Sequence, residues 1–122
     1  MIRTIATVVV LLVASAVAAQ EELVAEMRAL AKASYARDSS YEIEAVKAFF
    51  AAGATPKCAP AGRPAPEPFE VFLEVLPNGS LGRIVFVPHT ETAQCVKTHT
   101  AGISYPKPPF KYVAHIHLSF KR

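Results

Sequence analysis

The chain has 122 residues, with 13 Lys and Arg against 10 Asp and Glu, a net charge of +3 and only two cysteines. That length suits one modest domain. The small positive balance excludes the electrostatic footprint of a nucleic-acid binder, and beyond the first twenty residues no apolar stretch is long enough to span a bilayer.

Residues 1–19 have the anatomy of a secretory signal peptide. Arg3 supplies a positive start, and Thr4 to Val13 is apolar and free of Asp, Glu, Lys and Arg. Both Ala16-Val17-Ala18 and Val17-Ala18-Ala19 satisfy a small-x-small cleavage rule. The alternative, an uncleaved anchor, has 16 residues from Thr4 to Ala19 where a span needs about 20. The chain is therefore expected in the periplasm or secreted, with no membrane contact after cleavage. In that setting Cys58 and Cys95 default to a disulfide. Closing a 37-residue separation is worth roughly 4 kcal/mol in the chain-entropy model. Two free thiols, or thiolates on a metal, are the competing readings.

Residues 20–55 read as a helical hairpin. Leu23, Met27, Leu30 and Ala31 form one helical stripe over Glu21–Arg37, and Asp38-Ser39-Ser40 breaks it. Ser39 with Glu42 has capping-box spacing for a second helix, whose apolar face is expected at Ile43, Val46, Phe49 and Phe50, with Gly53 as its C-terminal cap. The pair is expected to pack on one face of a small sheet. Residues 56–68 hold five prolines and read as a stiff extended connector, neither helix nor central strand.

From Phe69 the period changes to two. Phe69, Val71, Leu73 and Val75 alternate with Glu70, Phe72 and Glu74. Asn78-Gly79 predicts a tight primed turn, and Leu81–Val87, stopped by Pro88, is the return strand. Asn78-Gly79-Ser80 also matches a glycosylation sequon, for which the turn is the better-supported role. A short helix follows, capped by Thr90 or Thr92 and ended by Gly102, with Ala93 and Val96 inward. After the proline-rich "SYPKPPF", the last strand places Tyr112, Ala114, Ile116, Leu118 and Phe120 on one apolar face. Val113, His115, His117, Ser119 and Lys121 fall on the other, read as solvent-facing.

Three stretches carry a resemblance: "VFLEVLPNGSLGRIVFV", "CVKTHTAGISYPKPPF" and "VAHIHLSF". In this order they resemble the C-terminal domain of TonB and related gliding-motility proteins, over residues 69–122. Some gliding-motility relatives carry cysteines at places comparable to Cys58 and Cys95. The resemblance implies a small β-β-α-β module with an antiparallel sheet; with the helical hairpin ahead of it, which lies outside the resemblance, the expected fold is α+β. It also implies a non-catalytic protein-binding or adaptor module that grips an envelope protein or extended peptide segment by strand addition. The candidate edge is the last strand, at Val113, His115, His117 and Ser119. The chain departs from an energy transducer, because Met1–Ala19 holds no histidine and 13 connector residues reach only about 40 Å as polyproline II.

Catalysis and metal binding lack a pattern. There is no G-x-S-x-G, Ser119 and His117 at i,i+2 fix no catalytic geometry, and Asp38 is the one aspartate. Cys95 and His99 share a helical face, and Cys58 completes a conceivable Cys/His set, but no C-x-x-C or H-E-x-x-H occurs. The reading is no enzyme, no cofactor and no metal. His99, His115 and His117 are the alternative metal set. The alternative function is a small periplasmic inhibitor or immunity protein against an envelope enzyme, with the proline connector as its inserted loop.

Overall fold

The computed structural model describes residues 2–60 and 62–120, and the side chains of residues 2–15 and 55 lie outside the description. Arg3 and the apolar run of the expected signal are among those side chains, and Lys121 is also outside. The elements are α1 (Ile2–Arg37), α2 (Ser39–Ala51), α3 (Ala54–Cys58), β1 (Phe69–Val75), β2 (Leu81–Val87), α4 (Glu91–Thr100) and β3 (Tyr112–Leu118). The fold is α+β, with a three-stranded antiparallel sheet in the order β2-β1-β3. Among the described residues, no helix is long and apolar enough to cross a membrane.

β1 is the central strand and is buried on both faces. On one face Phe69, Val71, Leu73 and Val75 join Tyr112, Ala114, Ile116 and Leu118 of β3. This face is covered by Tyr41, Ala45 and Phe49 of α2 and by Ala93 and Val96 of α4. On the other face Phe72, Val85 and Val113 pack against Met27 and Ala31 of α1. The two N-terminal helices therefore lie on opposite faces of the sheet, not together on one, and the chain passes around the edge of β3 at the α1–α2 corner. On the face expected to be wet, α1 roofs Val113, which is only 1% exposed, while His115, His117 and Ser119 are exposed as expected.

Several local expectations change for physical reasons. The helix begins far ahead of Glu21, at Ile2, but its packing does not: residues 16–22 are exposed and Leu23 is the first partly buried side chain. Asp38, not Ser39, caps α2, accepting from the N–H groups of Ser40 (3.2 Å) and Tyr41 (3.4 Å). The buried stripe of α2 is Tyr41, Ala45 and Phe49, spaced by four, whereas Ile43 and Phe50 are 60% and 46% exposed. The start of the connector is helical. Pro56 sits in the first turn of α3, where its missing N–H would have no intrahelical partner anyway.

The hairpin turn is also not the primed two-residue type, which needs positive φ at both central positions. Among the described residues only glycines have positive φ, so Asn78 does not supply it. Gly79 N–H donates to the Leu76 carbonyl (2.8 Å), Leu76 N–H donates to the Ser80 carbonyl (2.8 Å), and Gly79 alone takes φ +87°. Pro77–Gly79 thus form a three-residue loop. A Cβ at Gly79 would collide with the Tyr105 carbonyl oxygen, while the Tyr105 N–H donates to the Gly79 carbonyl (2.9 Å). Glycine is needed there for both conformation and space.

Cys58 and Cys95 form the expected disulfide (S–S 2.06 Å), tying α3 to α4. Thr90 caps α4, its Oγ1 accepting from Ala93 N–H at 3.1 Å.

Candidate functional site

An edge strand exposes alternate backbone N–H and C=O groups, so the ladder's phase decides what a partner could grip. Val113 N–H donates to Ser34 Oγ (3.1 Å) and His115 N–H to Glu42 Oε1 (2.8 Å). Both groups therefore point away from β1, and by alternation so do those of His117. Ser34 ends the packed part of α1 and Glu42 lies in the first turn of α2, so the α1–α2 corner clasps the β3 edge from both sides. The expected edge is thus occupied at Val113 and His115, while His117 and Ser119 lie beyond the clasp.

The same phase fixes the opposite edge. Val113, His115 and His117 lie opposite Glu74, Phe72 and Glu70 of β1, whose backbone groups then face β2. These engage Val85 and Val87 of β2, leaving Ile84 and Phe86 with backbone groups turned outward. Among the described residues, nothing outside the sheet hydrogen-bonds to the backbone of Ile84 or Phe86.

Two charged clusters flank α1 and hold it on the sheet. On one side Arg28 meets Glu70 through both guanidinium nitrogens (3.0 and 3.1 Å). His115 Nε2 lies 2.8 Å from Glu70 Oε1. An ionised carboxylate only accepts, so Nε2 carries the hydrogen and donates. The Arg28 hydrogen bonds, with a smaller contribution from His115, hold the Glu70 carboxyl down to about 2. The His115 ring stacks on Phe72 (centroids 4.5 Å apart, planes 6° apart), and the Arg28 guanidinium lies 5.2 Å from the same ring centre. On the other side Arg83 bridges Glu74 (2.7 Å) and Glu26 (3.2 Å), and it lowers the pKa of the buried Glu74 carboxyl.

A cleft of about 400 Å³ opens beside the clasp, lined by Arg28, Ala31, Lys32, Tyr35, Glu42 and His115. Glu42 Oε2 is buried with no protein partner. His115 with Glu70 has the form of a base and its orienting acid. Yet among the described residues no hydroxyl or thiol bonds to the His115 ring, so the arrangement lacks a nucleophile. A larger apolar groove of about 830 Å³ lies between α1 and the end of β2, along Val24, Ala25, Ala29, Val87 and Pro88.

The alternative metal set is divided by the sheet. His115 faces α1, whereas His99 lies on α4 across the opposite face. His99 instead approaches Cys58 and Cys95, with the three potential ligand atoms within 4.8 Å of one another, but the two sulfurs are bonded together. A disulfide offers no thiolate to a metal.

Ser34, Glu42, Arg28 and Glu70 escaped sequence reasoning. One signal was present: Glu70 and Glu74 are charged residues alternating with apolar ones on a strand hydrophobic enough to be central. Such positions need cationic partners, and the preceding helix carries Arg28. Compared with protein-family models, curated proteins and solved structures, the chain matches none.

Proposed function

We propose that this chain is an exported, non-catalytic binding module of the cell envelope, resembling the TonB C-terminal domain and engaging an envelope protein or extended segment by strand addition. The observation that carries the reading is the coverage of the sheet. Helices occupy both faces of β1, so the strand edges are where backbone groups remain for a partner. On β3 the open stretch begins at His117, whose backbone groups point outward past the clasp. An incoming strand reaching further would exchange its own carbonyls for Ser34 Oγ and Glu42 Oε1.

Export is supported by the disulfide and by the packing of α1. Among the described side chains, none ahead of Leu23 contributes to the core, and the described members of both hydrophobic clusters all lie from Leu23 onward.

The test is site-specific photocrosslinking in the native envelope, with the crosslinker at His117 or Ser119. The expected result is one dominant adduct that disappears when His117→Pro removes an outward N–H that β1 does not use. Adducts formed instead from the exposed connector at Arg63 or Glu67, with a soluble envelope hydrolase, would replace this reading with the inhibitor one.

A further inference from the structure

We propose that Cys58, Cys95 and His99 form a reduction-gated site for zinc, sealed while the two sulfurs are bonded and opened by an external dithiol. The inference is independent of the binding reading, which uses the edge of β3.

Three observations carry it. First, the donors are already gathered. α3 ends at Cys58, and α4 carries Cys95 and His99 four residues apart on one face. The three potential ligand atoms lie within 4.8 Å of one another. Donors around a tetrahedral zinc stand about 3.6–3.8 Å apart, so side-chain rotation after reduction is enough to reach that spacing. Second, the cluster is open to solvent on one side. Both cysteines are half-buried and His99 is exposed, and among the described residues none hydrogen-bonds to the His99 ring. A dithiol can therefore reach the disulfide, and the imidazole is uncommitted. Third, the donor set is selective. Two thiolates balance the charge of a divalent cation, and sulfur with imidazole favours zinc over magnesium or calcium. Three protein donors leave a fourth position for water.

The exchange balances. A thiolate of the dithiol attacks one sulfur of the Cys58–Cys95 bond, its second thiol resolves the mixed disulfide, and the dithiol leaves oxidised. Two electrons and two protons pass to Cys58 and Cys95. Zinc then displaces one proton from each thiol and takes His99 as its third protein ligand. Exchange with an external disulfide reverses both steps and expels the metal. The same residues thus join α3 to α4 either by a covalent bond or through a metal ion.

The test is native mass spectrometry of the full chain titrated with zinc, once oxidised and once after reduction by a phosphine that is then removed. The reduced chain is expected to take one zinc with the loss of two protons, and the oxidised chain none. His99→Ala changes an exposed position and is expected to weaken zinc binding by about a hundredfold or more, while His117→Ala leaves it unchanged. Reduction also removes a covalent tie, so folding is read separately. The urea midpoint of the reduced chain should rise with zinc, and rise far less in His99→Ala. A reduced chain that takes no zinc would overturn the proposal. So would zinc bound equally well by His99→Ala, by the oxidised chain, or by a reduced chain whose urea midpoint does not move.

Discussion

The two outer strands of the sheet are treated differently by the rest of the chain. β3 is wrapped: α1 lies on one side of it, α2 on the other, and their corner supplies Ser34 and Glu42 to the outward N–H groups of Val113 and His115. Tyr112 Oη reinforces the wrap by donating to the Asp38 carbonyl at 2.8 Å, and burial raises its pKa. On β2 no described residue hydrogen-bonds the outward backbone groups of Ile84 or Phe86, and Phe86, only 2% exposed, is shielded by packing alone. The difference teaches that edge protection here is made by side chains delivered from a distant turn, not by proline, charge or a bulge in the strand itself. Such protection can be withdrawn by moving one corner.

The comparison breaks most completely where α1 is seated. Phe72 is fully buried under Met27 and stacks with His115, so Phe72→Ala is expected to cost about 4 kcal/mol in urea unfolding and to speed amide exchange at Val113. Ser34→Ala is narrower. It strands the buried Val113 N–H and should cost about 2 kcal/mol in the same measurement, leaving β2 exchange unchanged. Glu42→Ala should cost about 1 kcal/mol, because the His115 N–H it leaves is near solvent. Its clearest readout is faster exchange at His115 alone.

The smallest effect is a pH dependence. Glu70 sits at about 2 in the folded chain against about 4.3 in an unfolded one. Its contribution is therefore fully present above the unfolded value and is lost as pH falls toward 2. Glu70→Gln should flatten the acid limb of a thermal-unfolding series between about pH 4.5 and 2, its cost in stability being largest near neutrality and vanishing toward pH 2.

Much of the fold was legible because its signals are local. Period-two alternation bounded by Pro68 and Pro88 delimits β1 and β2, Thr90 caps α4, and the two cysteines pair with each other. The α2 face was read correctly at Phe49 and Val46 but misplaced at Ile43 and Phe50, because that helix is apolar on two sides. Ile43, Val46 and Phe50 make as good a stripe as Tyr41, Ala45 and Phe49, and only the Tyr41 hydroxyl's bond to the Pro106 carbonyl and the packing below it choose between them. The clasp was not legible at all. Ser34 and Glu42 act on residues 79 and 73 positions away, and no periodicity or cap links residues so far apart. The polar face of β3 was read as wet, which holds for His115, His117 and Ser119 but not for the buried Val113. What the pattern did not show is that the exposed His115 ring also stacks on Phe72 and donates its Nε2–H to Glu70.

The most direct measurement is residue-resolved amide hydrogen exchange along β3 in one dilute sample. The account predicts strong protection at Val113 and His115, and much faster exchange at His117, whose backbone lies beyond the clasp. Exchange at Val113 and His115 as rapid as at His117 would contradict it by showing that the clasp is open.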